Sequence, residues 1–235
     1  MTHLRIRVLS GLALRSPLVE CIYPAFEAEH DVTIEAVFDP TTVLLERLRA
    51  GEPADVVIAT DSGNAKLVEE GILDGTSTTA LATSSIGYAV SGPHPGPPIK
   101  ETAAFLEFVA GARSIAYTRT GASGIHFMSI LENYGLTDDI NARATILDGG
   151  FTAEALLDGR ADVAIQQLSE LAAVPGVSIV GPIPDELQQN ARFTAAASVR
   201  THPLSPELLR ALSGRAARIA YQSAGLQLPI DTESS

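Results

Sequence analysis

The residues best placed to do chemistry lie in SIAYTRTGASGIHFMSILENYGL, from Ser114 to Leu136. Ser114–Tyr117 is short and apolar enough for a buried strand. Thr118-Arg119-Thr120-Gly121-Ala122-Ser123-Gly124 breaks it with small, polar residues, after which Ile125, Met128, Leu131 and Leu136 recur near helical spacing. A strand, a Gly/Ser loop and a helix bring free backbone N–H groups and the positive end of a helix dipole to one point. A hydroxyl from Thr118 or Thr120, the Ser123 hydroxyl and the Arg119 guanidinium fall in the same few residues. The pattern suits a small anion. It suits equally a helix capped by Ser123 and nothing more.

The elements that must position this loop are strands alternating with helices. The spacing predicts strands over 4–9, 33–38, 55–59, 85–90, 114–117, 142–147, 162–166, 177–180 and 191–199. Helices are predicted over 14–28, through Leu44, Leu45 and Leu48, over 65–70, 102–109 and 152–157, and as one long C-terminal helix over 206–224. Ser91 to Pro98, SGPHPGPP, is a loop, and so is Gly149-Gly150. The alternation implies an α/β fold with mainly parallel sheets.

The chain also repeats itself. Leu48-Arg-Ala-Gly51-Glu-Pro-Ala54-Asp55-Val56 is echoed by Leu157-Asp-Gly159-Arg-Ala161-Asp162-Val163, the aspartates 107 residues apart. The two strand–loop–helix units, ending near Ser10 and Thr118, are 108 apart. Two similar α/β lobes are therefore expected, each opening with a small-residue loop at a helix N-terminus. Ligands of such sheets sit outside the carboxyl ends of the strands, so Ser10-Gly11 and Thr118–Ser123 are expected on opposite walls of one cleft.

Composition narrows the partners. The 235 residues carry a net charge of −12, which argues against nucleic acid and anionic membranes. A small anion is not excluded, because local donors make such a site. Hydrophobic residues are 46% of the chain, enough for a globular core. Cys21 is the lone cysteine, and the neighbouring Val19, Ile22 and Phe26 predict a buried packing role for it. The five histidines lack metal spacing, and no Walker loop, dinucleotide fingerprint or Ser-His-Asp order is present, so neither metal nor cofactor is expected. Arg5 and Arg7 before Val8–Leu14 faintly resemble a leader, but Arg15 interrupts the apolar run with no cleavage site behind it. No membrane-spanning run is seen. The expected location is cytoplasmic, or periplasmic if a leader precedes this sequence.

GEPADVVIAT, SIAYTRTGASGIHF, GGFTAEALLDGRADVAIQQLSEL and VPGVSIVGPIPDELQ together resemble type II periplasmic-binding-protein folds, in the molybdate-binding-protein-like branch that includes aconitate isomerase. The resemblance covers nearly the whole chain. It implies a two-lobed clamshell: residues 1–83 with 200–235 as lobe one, 88–188 as lobe two, and hinge crossings at 84–87 and 189–199. It places ligand contacts at Ser10, Gly11, Thr41, Thr42, Gly121, Ala122 and Ser123, with Thr120 and Gly150 in the adjoining loops. The chain departs from the molybdate binders at Asp39-Pro40-Thr41-Thr42, where they are Gly/Ser-rich, and in carrying Arg15 near the start of its first helix. An arginine suits a carboxylate, which it grips with two parallel N–H groups. A di- or tricarboxylate is the expected ligand, with Arg15 and Arg119 as charge partners.

Moving an allylic proton within a tricarboxylate needs an acid/base group and donors that stabilise a conjugated carbanion. His126 on the helix after the loop and Glu170 after a buried strand are the candidates. For His126 the alternative is packing within its lobe. Gln166 and Gln167 either bind a carboxylate edge or are satisfied strand-end amides. The competing function is a non-catalytic solute-binding protein.

Overall fold

Asp55 and Asp162, matched by the repeat, do the same work. The Asp55 carboxylate accepts the Arg7 N–H at 2.7 Å and the Asp55 N–H donates to the Arg7 carbonyl. The Asp162 carboxylate accepts the Ser114 N–H at 2.8 Å and the Asp162 N–H donates to the Ser114 carbonyl. Arg7 and Ser114 are themselves 107 residues apart. Each aspartate thus locks the start of one strand to its neighbour, using backbone groups that would otherwise lack partners.

The computed structural model describes residues 4–93, 95–200 and 202–229. His3, His94 and the last six residues lie outside these. The chain forms two compact units, one up to Thr83 and again from Arg192, the other Ser84–Ala191. The first contains β1 (Leu4–Ser10), a helical stretch made of a 3-10 turn (Leu12–Leu14), α1 (Arg15–Pro17), a π turn (Leu18–Ile22) and α2 (Tyr23–His30), then β2 (Val32–Phe38), α3 (Thr41–Arg49), β3 (Val56–Thr60), α4 (Asp61–Glu69) and β4 (Thr79–Ser84). The second contains β5 (Ile86–Val90), α5 (Thr102–Gly111), β6 (Ile115–Thr118), α6 (Ala122–Asn133), α7 (Thr137–Asn141), β7 (Thr145–Leu147), α8 (Glu154–Leu157), β8 (Val163–Gln167), α9 (Leu168–Ala172) and β9 (Ser178–Pro182). The chain then returns to the first unit through β10 (Ala191–Ala197), α10 (Ser205–Ser213) and α11 (Arg215–Ser223).

The sheet orders are β2-β1-β3-β10-β4 and β7-β6-β8-β5-β9, the same pattern twice. Both sheets are mixed, which corrects the mainly parallel expectation. β1 runs parallel to β2 and β3, and β6 to β7 and β8, but β10 is antiparallel to β3 and β5 to β8 and β9. The reversed strands are those by which the chain enters a unit. They are not fed by a helix crossing over the same sheet, the connection that imposes parallel neighbours.

Unit-one helices α3 and α4 cover a cluster of Leu9, Leu44, Leu45, Leu48, Val57, Leu67 and Leu73. In the second unit one sheet face holds Tyr88, Phe105, Tyr117, Phe127 and Ile165, and the other an alanine-rich layer with Leu156 and Leu171. Leu18, Ile22 and Phe26 point inward as the periodicity predicts. Cys21 does not: it is exposed. The Tyr23 N–H donates to the Leu18 carbonyl five residues back, and this wider π turn swings Cys21 out of the buried face. The single C-terminal helix is also corrected, because extended Gly214 divides α10 from α11.

Candidate functional site

Thr118 ends β6 and is 1% exposed, yet its Oγ1 has no partner among the described residues. Gly121 is the N-cap of α6 and no side chain caps this helix. The first intrahelical bond of the turn runs from Ile125 N–H to the Gly121 carbonyl at 2.9 Å, so the N–H groups of Ala122, Ser123 and Gly124 have no acceptor within the helix. Ser123 sits inside the first turn rather than at the cap, which overturns the simple capping alternative. A Cβ on Gly124 would overlap the Thr118 carbonyl oxygen and lie 2.9 Å from Thr118 Oγ1. Glycine is what lets the first turn of α6 settle onto the end of β6. Three free N–H groups, the helix dipole and an unpaired hydroxyl beneath them can hold an anion.

The flanking residues are less available. Thr120 Oγ1 donates to the Asp148 carbonyl at 2.6 Å. Arg119 is exposed, with Nε 3.2 Å from Asp148 Oδ1, so its charge is shared with an acid at the surface.

At the end of β8, Gln166 Oε1 accepts from Thr152 N–H at 2.8 Å and from Thr152 Oγ1 at 3.0 Å, while Nε2 donates to the Gly150 carbonyl at 2.8 Å. Both ends of the amide are engaged, so the satisfied-amide reading describes Gln166, and its work is to shape the loop of Gly150. Gln167 caps α9. With its amide nitrogen turned toward Ser84, it donates to the Ser84 carbonyl at 3.1 Å. The Gln167 side chain accepts from the Glu170 N–H while Glu170 Oε2 accepts from the Gln167 N–H at 3.2 Å, a reciprocal capping box. Glu170 is 8% exposed, and burial pushes its carboxyl up to about 7, with bonds from Gln167 and Gln166 pulling the other way. His126 Nε2 is 2.7 Å from the Leu187 carbonyl, so Nε2 carries the proton and Nδ1 is the basic nitrogen of the neutral ring. This bond is what the packing reading of His126 requires.

In the first unit, Ser10 and Phe38 are register partners at the carboxyl ends of β1 and β2, and the Asp39 N–H donates to the Ser10 carbonyl at 3.1 Å. Ser10 is fully buried and its Oγ donates to the Gly11 carbonyl at 3.0 Å. Gly11 N–H donates to the Ile58 carbonyl at 2.8 Å. Arg15 begins α1, exposed, with its guanidinium carbon 5.7 Å from the centroid of the Phe38 ring. Thr41 and Thr42 open α3, and Thr41 Oγ1 accepts the Thr60 N–H at 3.3 Å. Arg47 lies in the last turn of α3. It bonds Asp39 before α3 and grips Glu52 after it at 2.5 and 2.8 Å, while Arg7 adds a third bond to Glu52 at 2.5 Å. These bonds, Arg47's foremost, hold the Glu52 carboxyl down at about 2.

Phe38 and Thr152 escaped the sequence reading. Phe38 ends a strand like any core aromatic, and nothing local marks Thr152 as the partner of Gln166. Among the described residues no three of His, Cys, Asp and Glu gather as a metal set, and no helix is long and apolar enough to cross a membrane.

Two α/β units with polar helix-start loops at the carboxyl ends of mixed sheets define the binding-protein class. The chain belongs to the bacterial extracellular solute-binding protein family, whose model matches residues 6–227. It is 33% identical over 230 residues to an aconitate isomerase of a Pseudomonas species, covering 94% of this chain and 87% of that protein. Among solved structures it resembles the periplasmic molybdate-binding protein of Azotobacter vinelandii, with a TM-score of 0.76, 18% identity and coverage of 96% and 100%. It also resembles the sulfate-binding protein SubI of Mycobacterium tuberculosis, with a TM-score of 0.74, 17% identity and coverage of 98% and 88%. These structures share its fold.

Proposed function

We propose that this protein binds a small organic polycarboxylate and shifts its double bond by proton transfer, as an aconitate isomerase does. The observation that carries the carboxylate reading is Arg15, a cation that stands over the Phe38 ring and joins none of the ion pairs among the described residues. The likeness to an aconitate isomerase supports the reaction. In this reading the first turn of α6, with Ser123 and the hydroxyl of Thr118, is a carboxylate site of the second unit, and Ser10, Gly11, Arg15, Thr41 and Thr42 are the carboxylate-binding residues of the first. A base removes the allylic proton, the double bond moves, and the proton returns to the carbon at the other end. Glu170, titrating near neutrality, has the proton affinity such a shuttle needs. His126 can serve only through Nδ1.

The alternative is a solute-binding protein without chemistry, favoured by the family's description. Proton NMR of cis- and trans-aconitate with the protein in deuterated buffer separates the two. Interconversion with deuterium entering the carbon chain is expected; binding with neither change over hours establishes the alternative. Repeating the assay with Glu170→Gln and His126→Gln assigns the base: the residue whose loss lowers turnover about 10²-fold carries it. Cytoplasmic placement belongs to the enzyme reading and is checked by cell fractionation.

A further inference from the structure

We propose that Phe38 is a positioning residue for ligand binding, acting through Arg15; this rests on the carboxylate reading above. A guanidinium can be held by its edge or by its face. Arg5, Arg7, Arg47, Arg49, Arg143, Arg160 and Arg210 are held by the edge, their N–H groups bonded to carboxylates that offset their charge, and Arg119 is ion-paired with Asp148. Arg15 takes part in none of these ion pairs. Its guanidinium carbon stands 5.7 Å from the Phe38 centroid, within the range of cation–π attraction. A ring restrains the guanidinium plane while leaving its five N–H donors and its full charge for a ligand.

The ring itself is well anchored. Phe38 is half-buried at the last position of β2, level with Ser10 in the ladder. The next residue, Asp39, is fixed by its N–H to the Ser10 carbonyl and by its carboxylate to Arg47. Arg47 is fixed in turn by Glu52. A chain of bonded groups therefore ends in an aromatic face that sets the direction of Arg15 before any ligand arrives. Such preorganisation raises affinity by lowering the ordering cost of a long side chain.

The test is a double-mutant cycle read by calorimetry with cis- and trans-aconitate, with thermal midpoints recorded for every variant. Phe38→Tyr keeps the ring and should bind within about twofold of the wild type. Phe38→Leu and Phe38→Met remove the ring but keep an apolar side chain, so the comparison survives if one of them fails to fold. Either should weaken binding about fivefold. In an Arg15→Ala background the same change should cost less than about twofold, because the group it positions is gone. If turnover is present, KM should rise with kcat unchanged. A ring-removing variant that binds like the wild type overturns the proposal, as does an equal loss with and without Arg15. If the wild type binds neither isomer, the carboxylate reading fails first and takes this inference with it.

Discussion

Glu170 shows how burial sets the chemistry of a single residue. Its carboxyl titrates near 7 in the folded chain and near 4.5 when exposed. Below pH 4.5 both states are protonated and the group has no effect on stability. Between pH 4.5 and 7 the unfolded chain loses the proton while the folded one keeps it, so stability falls as pH rises, and above 7 the loss is constant. Glu170→Gln keeps the capping box and never titrates. Its unfolding free energy should exceed that of the wild type by an amount that grows from pH 4.5 to 7, reaching up to about 3 kcal/mol. Denaturant unfolding at several pH values checks this, and parallel curves would refute it. The polar start of α6 was legible in the sequence: Ser123 stands among backbone N–H groups that have no acceptor within the helix. Whether a polar group is already engaged was not, because its partner is distant in sequence. Gln166 is satisfied by Thr152, His126 by Leu187 and Gln167 by Ser84. No local pattern announces such pairs.

The junction of β6 and α6 is the element on which the proposed anion site depends. Gly124 there is a packing requirement, since a Cβ would drive into the Thr118 carbonyl. Gly124→Ala should destabilise the protein by about 3 kcal/mol or more, against the gain in helix propensity that alanine normally brings. Chemical denaturation measures it, and an unchanged or raised midpoint would show that α6 can shift without cost. Long, strongly periodic elements were readable from the chain, among them α3, α5 and the buried strands β3 and β8. The errors lie where a local device overrides periodicity. A π turn moved Cys21, an extended glycine split the last helix, and β4 lacked the apolar alternation of a strand.

At the scale of the whole chain, the offset of 107 residues was the most informative feature of the sequence. It corresponds to one strand order used twice and one aspartate lock used twice. The mixed sheets were not foreseen, because alternating strands and helices reveal order along the chain and not the direction from which a strand enters. All five strands of the second unit come from the single segment 84–191. That segment, made alone, should give a cooperative unfolding transition by circular dichroism. Residues 1–83 alone should not, and a cooperative transition from them would contradict the reason, which is the place of β10 between β3 and β4. The same interruption has a consequence during synthesis. A ribosome releases the first segment of unit one first, but that unit is completed last. Until residues 84–191 have been translated and β10 follows them, the sheet of the first unit has a strand-wide gap with unpaired backbone on either side, the condition in which nascent chains associate edge to edge. The interval of greatest exposure to aggregation therefore falls in mid-translation, before the finished chain is released.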